Sequence, residues 1–160
     1  GVARKSIYRH YANKDELVAA ALRRRDERWM QWFVAETSGA AEPRDRLLSM
    51  FPALQRWFES PGFHGCAFIN AAGEIGDADH PIRAVSRLHK QRLYDYVREL
   101  AGGCVLADPD DVAGQLLVLI DGAIAVALVM GDPSAAASAG RAAHTLLASA
   151  TPRSSQCAVP

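Results

Sequence analysis

The chain has 160 residues, 22% charged and 49% hydrophobic. That is the balance of a folded protein, with enough length to bury about two-thirds of its unfolded surface without metals or disulfides. Lysine and arginine number 18 and aspartate and glutamate 18, a neutrality that, taken whole, speaks against a nucleic-acid binder.

There are 29 alanines and no sustained apolar–polar alternation, which predicts an all-helical fold. Breakers at Gly39, Pro43, Ser60-Pro61-Gly62, Gly102-Gly103, Pro109 and Gly131-Asp132-Pro133 divide the chain. Helices are expected over 3–11, 14–37, 43–59, 65–76, 80–101, 109–131 and 133–150, followed by a short polar tail, 151–160, expected to be disordered.

A first helix over 3–11 would set Ile7 and Tyr11 on one side and Arg4, Lys5, Tyr8 and Arg9 largely on another. A basic, hydroxyl-bearing front of this kind suits phosphate contact and base reading, though a basic helix face is usually just a solvated one. In the second helix Asn13 is placed to cap and Glu16 to reach back to the cap N–H, with Leu17, Ala21, Trp29, Trp32 and Phe33 as its buried stripe. Eight of the twelve aromatic residues fall between positions 29 and 68. They form either an ordinary core or a ligand cavity. For the cavity the candidate lining is Trp29, Phe33, Phe51, Trp57 and Phe63, with Cys66, Asn70 and Glu74 as a polar stripe at i, i+4 and i+8 of one helix.

The helix from Pro109 is apolar nearly all round after Asp111 and must be covered on most faces. A second copy of the chain is the expected cover, through residues 109–150. Small-residue ridges at Ala123, Ala127 and Gly131 and at Ala135, Ala139 and Ala143 would allow close helix approach, between protomers or within one hairpin. The longest apolar stretch, Leu116 to Met130, is interrupted by Asp121 and is taken as too short to span a bilayer, so no membrane partner is expected.

His64, Cys66, Glu74, Asp77, Asp79 and His80 lie close in sequence but match no metal-ligand spacing. A surface loop with a helix cap at Asp79 is expected instead, with no metal and no cofactor. Three cysteines, Cys66, Cys104 and Cys157, form no C-x-x-C pair, and no signal-like segment is present, so the expectation is a reduced cytoplasmic chain. Cys66 beside His64 or His89 could act as a thiol sensor or nucleophile.

The string Gly1-Val2-(x4)-Ile7-Tyr8-x-His10-Tyr11-x-Asn13-Lys14-Asp15-x-Leu17 resembles the recognition-helix signature of TetR-type transcriptional regulators. The resemblance implies that Gly1 is the tight turn of a helix-turn-helix. It further implies that Arg4, Lys5, Ser6 and Arg9 face bases in the major groove, and that Tyr8, His10 and Lys14 hold phosphates. Ala3 stands where the family commonly has a capping Ser. In the family two helices precede this point, so the 160 residues alone are expected to bind an operator poorly. Gly65-Cys66-(x3)-Asn70, with Glu74 and Asp79-His80-Pro81-Ile82-Arg83, is similar to the C-terminal domain of one TetR-type subgroup.

The implied organisation is the second part of a DNA-binding domain and its connecting helix over 1–40, then an effector-binding and dimerisation domain over 41–150. The implied function is a homodimeric, non-enzymatic repressor of a double-stranded DNA operator, released by a small apolar or aromatic effector. The alternatives are a helical ligand-binding or dimerisation module that does not bind DNA, and a Cys66 thiol sensor. On this reading the zero net charge is a sum of unlike parts. Residues 1–28 hold eight Lys/Arg against four Asp/Glu, and residues 29–160 hold ten against fourteen.

Overall fold

The computed structural model describes residues 11–150. Among them are six helices and no strand: α1 (Lys14–Thr37), α2 (Pro43–Phe58), α3 (Ala67–Gly73), α4 (Pro81–Gly102), α5 (Pro109–Met130) and α6 (Ala135–Ser149). The expected helix over 3–11 and the tail 151–160 lie outside the described residues.

Most helix ends follow from local chemistry. Asn13 accepts from the Glu16 N–H at 2.9 Å, while Glu16 accepts from Ala12 N–H at 2.8 Å, one residue before the expected partner. Pro43, Pro81 and Pro109 open α2, α4 and α5, where a missing N–H costs nothing. Asp108 caps α5 through the Asp111 N–H, and Gly131 ends it in the left-handed conformation (φ 67°) that glycine adopts without strain. The cap of α4 is His80, whose Nδ1 accepts from Ile82 N–H, and not Asp79, which donates its own N–H to Asp77.

The third helix is shorter than expected, seven residues in place of twelve. Gly65 takes φ 74°, which keeps it out of the helix. At the other end Arg83 donates to the carbonyls of Ala72 and Ile75 and holds the chain in a turn.

Helix α1 packs on α4 and α2, α2 on α6, and α5 lies between α4 and α6. Phe33, Leu47, Met50, Leu54, Leu93, Leu116, Ile120 and Leu147 are fully buried where these helices meet. The buried stripe of α1 is Ala19, Leu22, Asp26, Met30, Phe33 and Thr37. Ala21, expected in it, is exposed, and Leu17, Trp29 and Trp32 are half-buried at its edges. Three polar contacts tie α1 to α4 or its cap along its length. Asp15 meets His80 at 3.4 Å, Asp26 meets His89 and Arg92, and Thr37 shares a hydrogen bond with the Tyr96 hydroxyl.

At 22 residues and mean hydropathy 2.2 over its most apolar window, α5 is long and apolar enough to cross a bilayer. This corrects the expectation that the stretch is too short. Its inner face is occupied by protein, however: Val112, Ala113, Leu116, Ile120, Ala123, Ile124 and Ala127 are buried, and its Asp121 pairs with Lys90 of α4.

Candidate functional site

Trp29, Trp32 and Phe33 lie on one side of α1, where α2 and α4 pack against it. Trp29 stacks on Phe33 at 4.7 Å between centroids and meets Trp57 of α2 edge-on at 5.6 Å. Trp57 in turn meets Phe63 edge-on at 5.1 Å. Four of the expected aromatic residues, Trp29, Phe33, Trp57 and Phe63, therefore form one network. Phe51 lies apart, buried in the core on the α6 side with its Cβ near Gly140.

Two cavities lie back to back on this network. On the inside, a void of about 10 Å³ is bounded by Trp29, Trp57, Cys66, Phe68 and His89, about the room of a single water. On the outside, an open groove of about 550 Å³ runs between α1 and α2 over Trp29, Trp32 and Trp57, with arginines at its rim. Arg25, Trp29 and Trp57 border both. The indole N–H of Trp29 is buried and has no acceptor.

The expected polar stripe does not form. Cys66 is buried at the N-cap of α3, Asn70 is exposed and donates to the His64 carbonyl at 3.2 Å, and Glu74 is the exposed residue after the helix ends. Of the three, Cys66 alone borders a cavity. Its side chain packs in the hydrophobic core. Burial pushes the Cys104 thiol up from its ordinary range. Among the described residues no three His, Cys, Asp or Glu side chains gather as a metal site.

The sequence reading missed a buried polar cluster beside the void. His89 Nδ1 lies 2.8 Å from Asp26 Oδ1, and Arg92 pairs with the other oxygen of Asp26. The imidazole stacks on Phe68 at 3.7 Å and meets Trp29 edge-on at 5.3 Å. Burial pushes its pKa below the ordinary value, outweighing the opposing effect of the hydrogen bond to Asp26, so the neutral ring donates Nδ1–H to the carboxylate. A signal was available: Asp26 sits four residues from both Leu22 and Met30, in the apolar stripe of α1.

Of the candidate DNA-contacting residues, Arg4, Lys5, Ser6, Tyr8, Arg9 and His10 lie outside the described residues. Lys14 is exposed on the first turn of α1. At the far side of the molecule, Val118, Val126, Val129 and Met130 of α5 are exposed at 71%, 44%, 82% and 74%. These values mark an uncovered apolar face, whereas the ridge alanines Ala123, Ala127, Ala135 and Ala143 are all buried within the protomer. An open hollow of about 630 Å³ continues this face, bordered by Val118 and Leu119 of α5 and Ala142 and Leu146 of α6.

A long helix carrying an aromatic site, enclosed by further helices with one apolar face left open, has the form of a helical sensor domain. Residues 43–143 match the family described as the tetracyclin repressor-like C-terminal domain. The chain is 27% identical over 144 residues to the HTH-type transcriptional regulator YjdC of Escherichia coli, covering 88% of this chain and 74% of that protein. Its fold is similar to that of SCO4454, a TetR-family regulator of Streptomyces coelicolor, with TM-score 0.84 and 27% identity over 94% of this chain and 80% of that one. It is also similar to a putative TetR regulator of Streptomyces avermitilis, with TM-score 0.80 and 32% identity over 94% and 81%. The chain belongs to the TetR family, and it is a ligand-responsive, DNA-binding transcriptional regulator, not an enzyme.

Proposed function

We infer that the protein is a cytoplasmic repressor that binds its operator as a homodimer and leaves it when a small apolar or aromatic effector opens the Trp29–Trp57 wall. The supporting observation is the position of that wall. It separates an outer groove from a small inner void, and its Trp29 side belongs to α1, the helix that follows the expected recognition segment in sequence. Effector seated there would part α1 from α2 or α4. Since α1 is tied to α4 at Asp15, Asp26 and Thr37, a shift of either helix would change the spacing of the two recognition helices and favour the unbound population. Arg4, Lys5, Ser6 and Arg9 are the proposed base contacts, and Tyr8, His10 and Lys14 the proposed phosphate contacts. Residues 41–150 are the proposed effector and dimer domain, joined to the second copy through residues 109–150, where the exposed valines of α5 lie.

The test is operator release by the full-length protein, followed by fluorescence anisotropy against hydrophobic compounds found by thermal shift. Trp57→Ala is expected to raise the effector concentration for half-release at least tenfold, and an unchanged value would contradict the site. Cys66→Ser is expected to release normally, because Cys66 serves here as a buried wall; loss of release in that variant would favour the thiol sensor.

A further inference from the structure

We propose that the groove between α1 and α2 selects a planar aromatic anion, an aryl carboxylate or its chemical equivalent. The aromatic ring lies on the tryptophans and the charge faces Arg25 and Arg28. This inference rests on the effector reading above and narrows its chemistry.

Three observations carry it. The floor is made of indoles: Trp29, Trp32 and Trp57 lie pairwise 5.6–6.2 Å apart between centroids. Such a floor rewards a flat ring by dispersion and by edge-to-face contact. The rim is cationic and largely uncompensated. Arg25, Arg28 and Arg56 border the groove against one carboxylate, Glu36, and Glu36 is already paired with Arg56. Among the described residues, Arg25 and Arg28 have neither an ion pair nor a side-chain hydrogen bond. The volume, about 550 Å³, is that of a small-molecule site.

Charge then decides between ligand classes. A cation would meet two unpaired guanidiniums, and a neutral arene would gain the floor but nothing from the rim. An aryl anion gains both, and guanidinium presents the paired N–H geometry that a carboxylate accepts.

Isothermal titration calorimetry of the full-length protein, without DNA, tests this with 2-naphthoate and indole-3-carboxylate against their uncharged primary amides. At least one carboxylate is expected to bind at least tenfold more tightly than its amide. Arg25→Gln/Arg28→Gln should remove that preference, and Arg25→Lys/Arg28→Lys should keep part of it. Equal affinity for acid and amide, a preference that survives R25Q/R28Q, or no binding by either carboxylate overturns the proposal and leaves the regulator reading standing. Arginine-dependent binding that fails to release operator in a parallel anisotropy titration upholds the anion site and instead overturns the effector reading.

Discussion

His89 is held neutral by its surroundings: an aromatic ring on each side, a carboxylate on Nδ1, and Arg92 already occupying the other carboxylate oxygen. Lys90 disfavours a second charge there, while Asp26 and Asp121 favour it less than burial opposes it. Because the folded pKa is depressed, the unfolded chain takes up a proton that the folded one refuses. Stability is therefore full above the ordinary imidazole value of 6.5 and is lost as pH falls from there through the lower folded pKa. Between pH 7.5 and 5.5 the Tm of the native protein is expected to fall further than that of His89→Gln. Equal falls would contradict the assignment. Gly65 carries a different constraint: φ is 74°, and a Cβ there would lie 2.4 Å from Leu128 Cδ2. Gly65→Ala is expected to cost about 1–3 kcal/mol in denaturant titration. Adding Leu128→Ala should relieve the steric part of that cost and leave the backbone part, so a double variant showing no such relief would contradict this contact.

Among the elements, α5 has two unlike faces. Its inner face is packed against α4 and α6, while Val118, Val126 and Val129 stand in solvent. An uncovered stripe of this kind on a soluble helix marks a contact surface. Val118→Glu/Val129→Glu is expected to convert dimer to monomer in sedimentation velocity with helix content retained, and a persistent dimer would place the interface elsewhere. The helices themselves were legible in the sequence because prolines at N1 and caps at Asn13 and Asp108 are local signals. α3 was overextended because its limits depend on a glycine's backbone angle and on Arg83, ten residues beyond the helix. The aromatic network was half legible. Its members cluster in sequence, but whether Phe51 faced the tryptophans or the α6 side depended on tertiary packing that no spacing encodes. The Asp26–His89 pair spans 63 residues, and only the polar interruption of an apolar stripe hinted at it.

For the whole molecule, α1 carries one side of the aromatic groove and is anchored to α4 or its cap near its first turn, its middle and its last turn. On the proposed function, a displacement at Trp29 is carried along α1 to its first turn. Asp26→Asn would leave His89 and Arg92 without their shared carboxylate. It is expected to destabilise the fold by about 3 kcal/mol or more and to shift the effector concentration for half-release, a change read by the same anisotropy titration; an unchanged stability and response would remove this cluster from the linkage. TetR-family regulators bind DNA as dimers, and on the proposed function two recognition helices stand about 34 Å apart, one turn of DNA. Selection of random duplexes by the full-length protein, followed by sequencing of the bound pool, tests this most directly. The expected result is an inverted repeat with half-site centres one helical turn, or a whole number of turns, apart; enrichment of a single unrepeated site, or of no sequence at all, would contradict it.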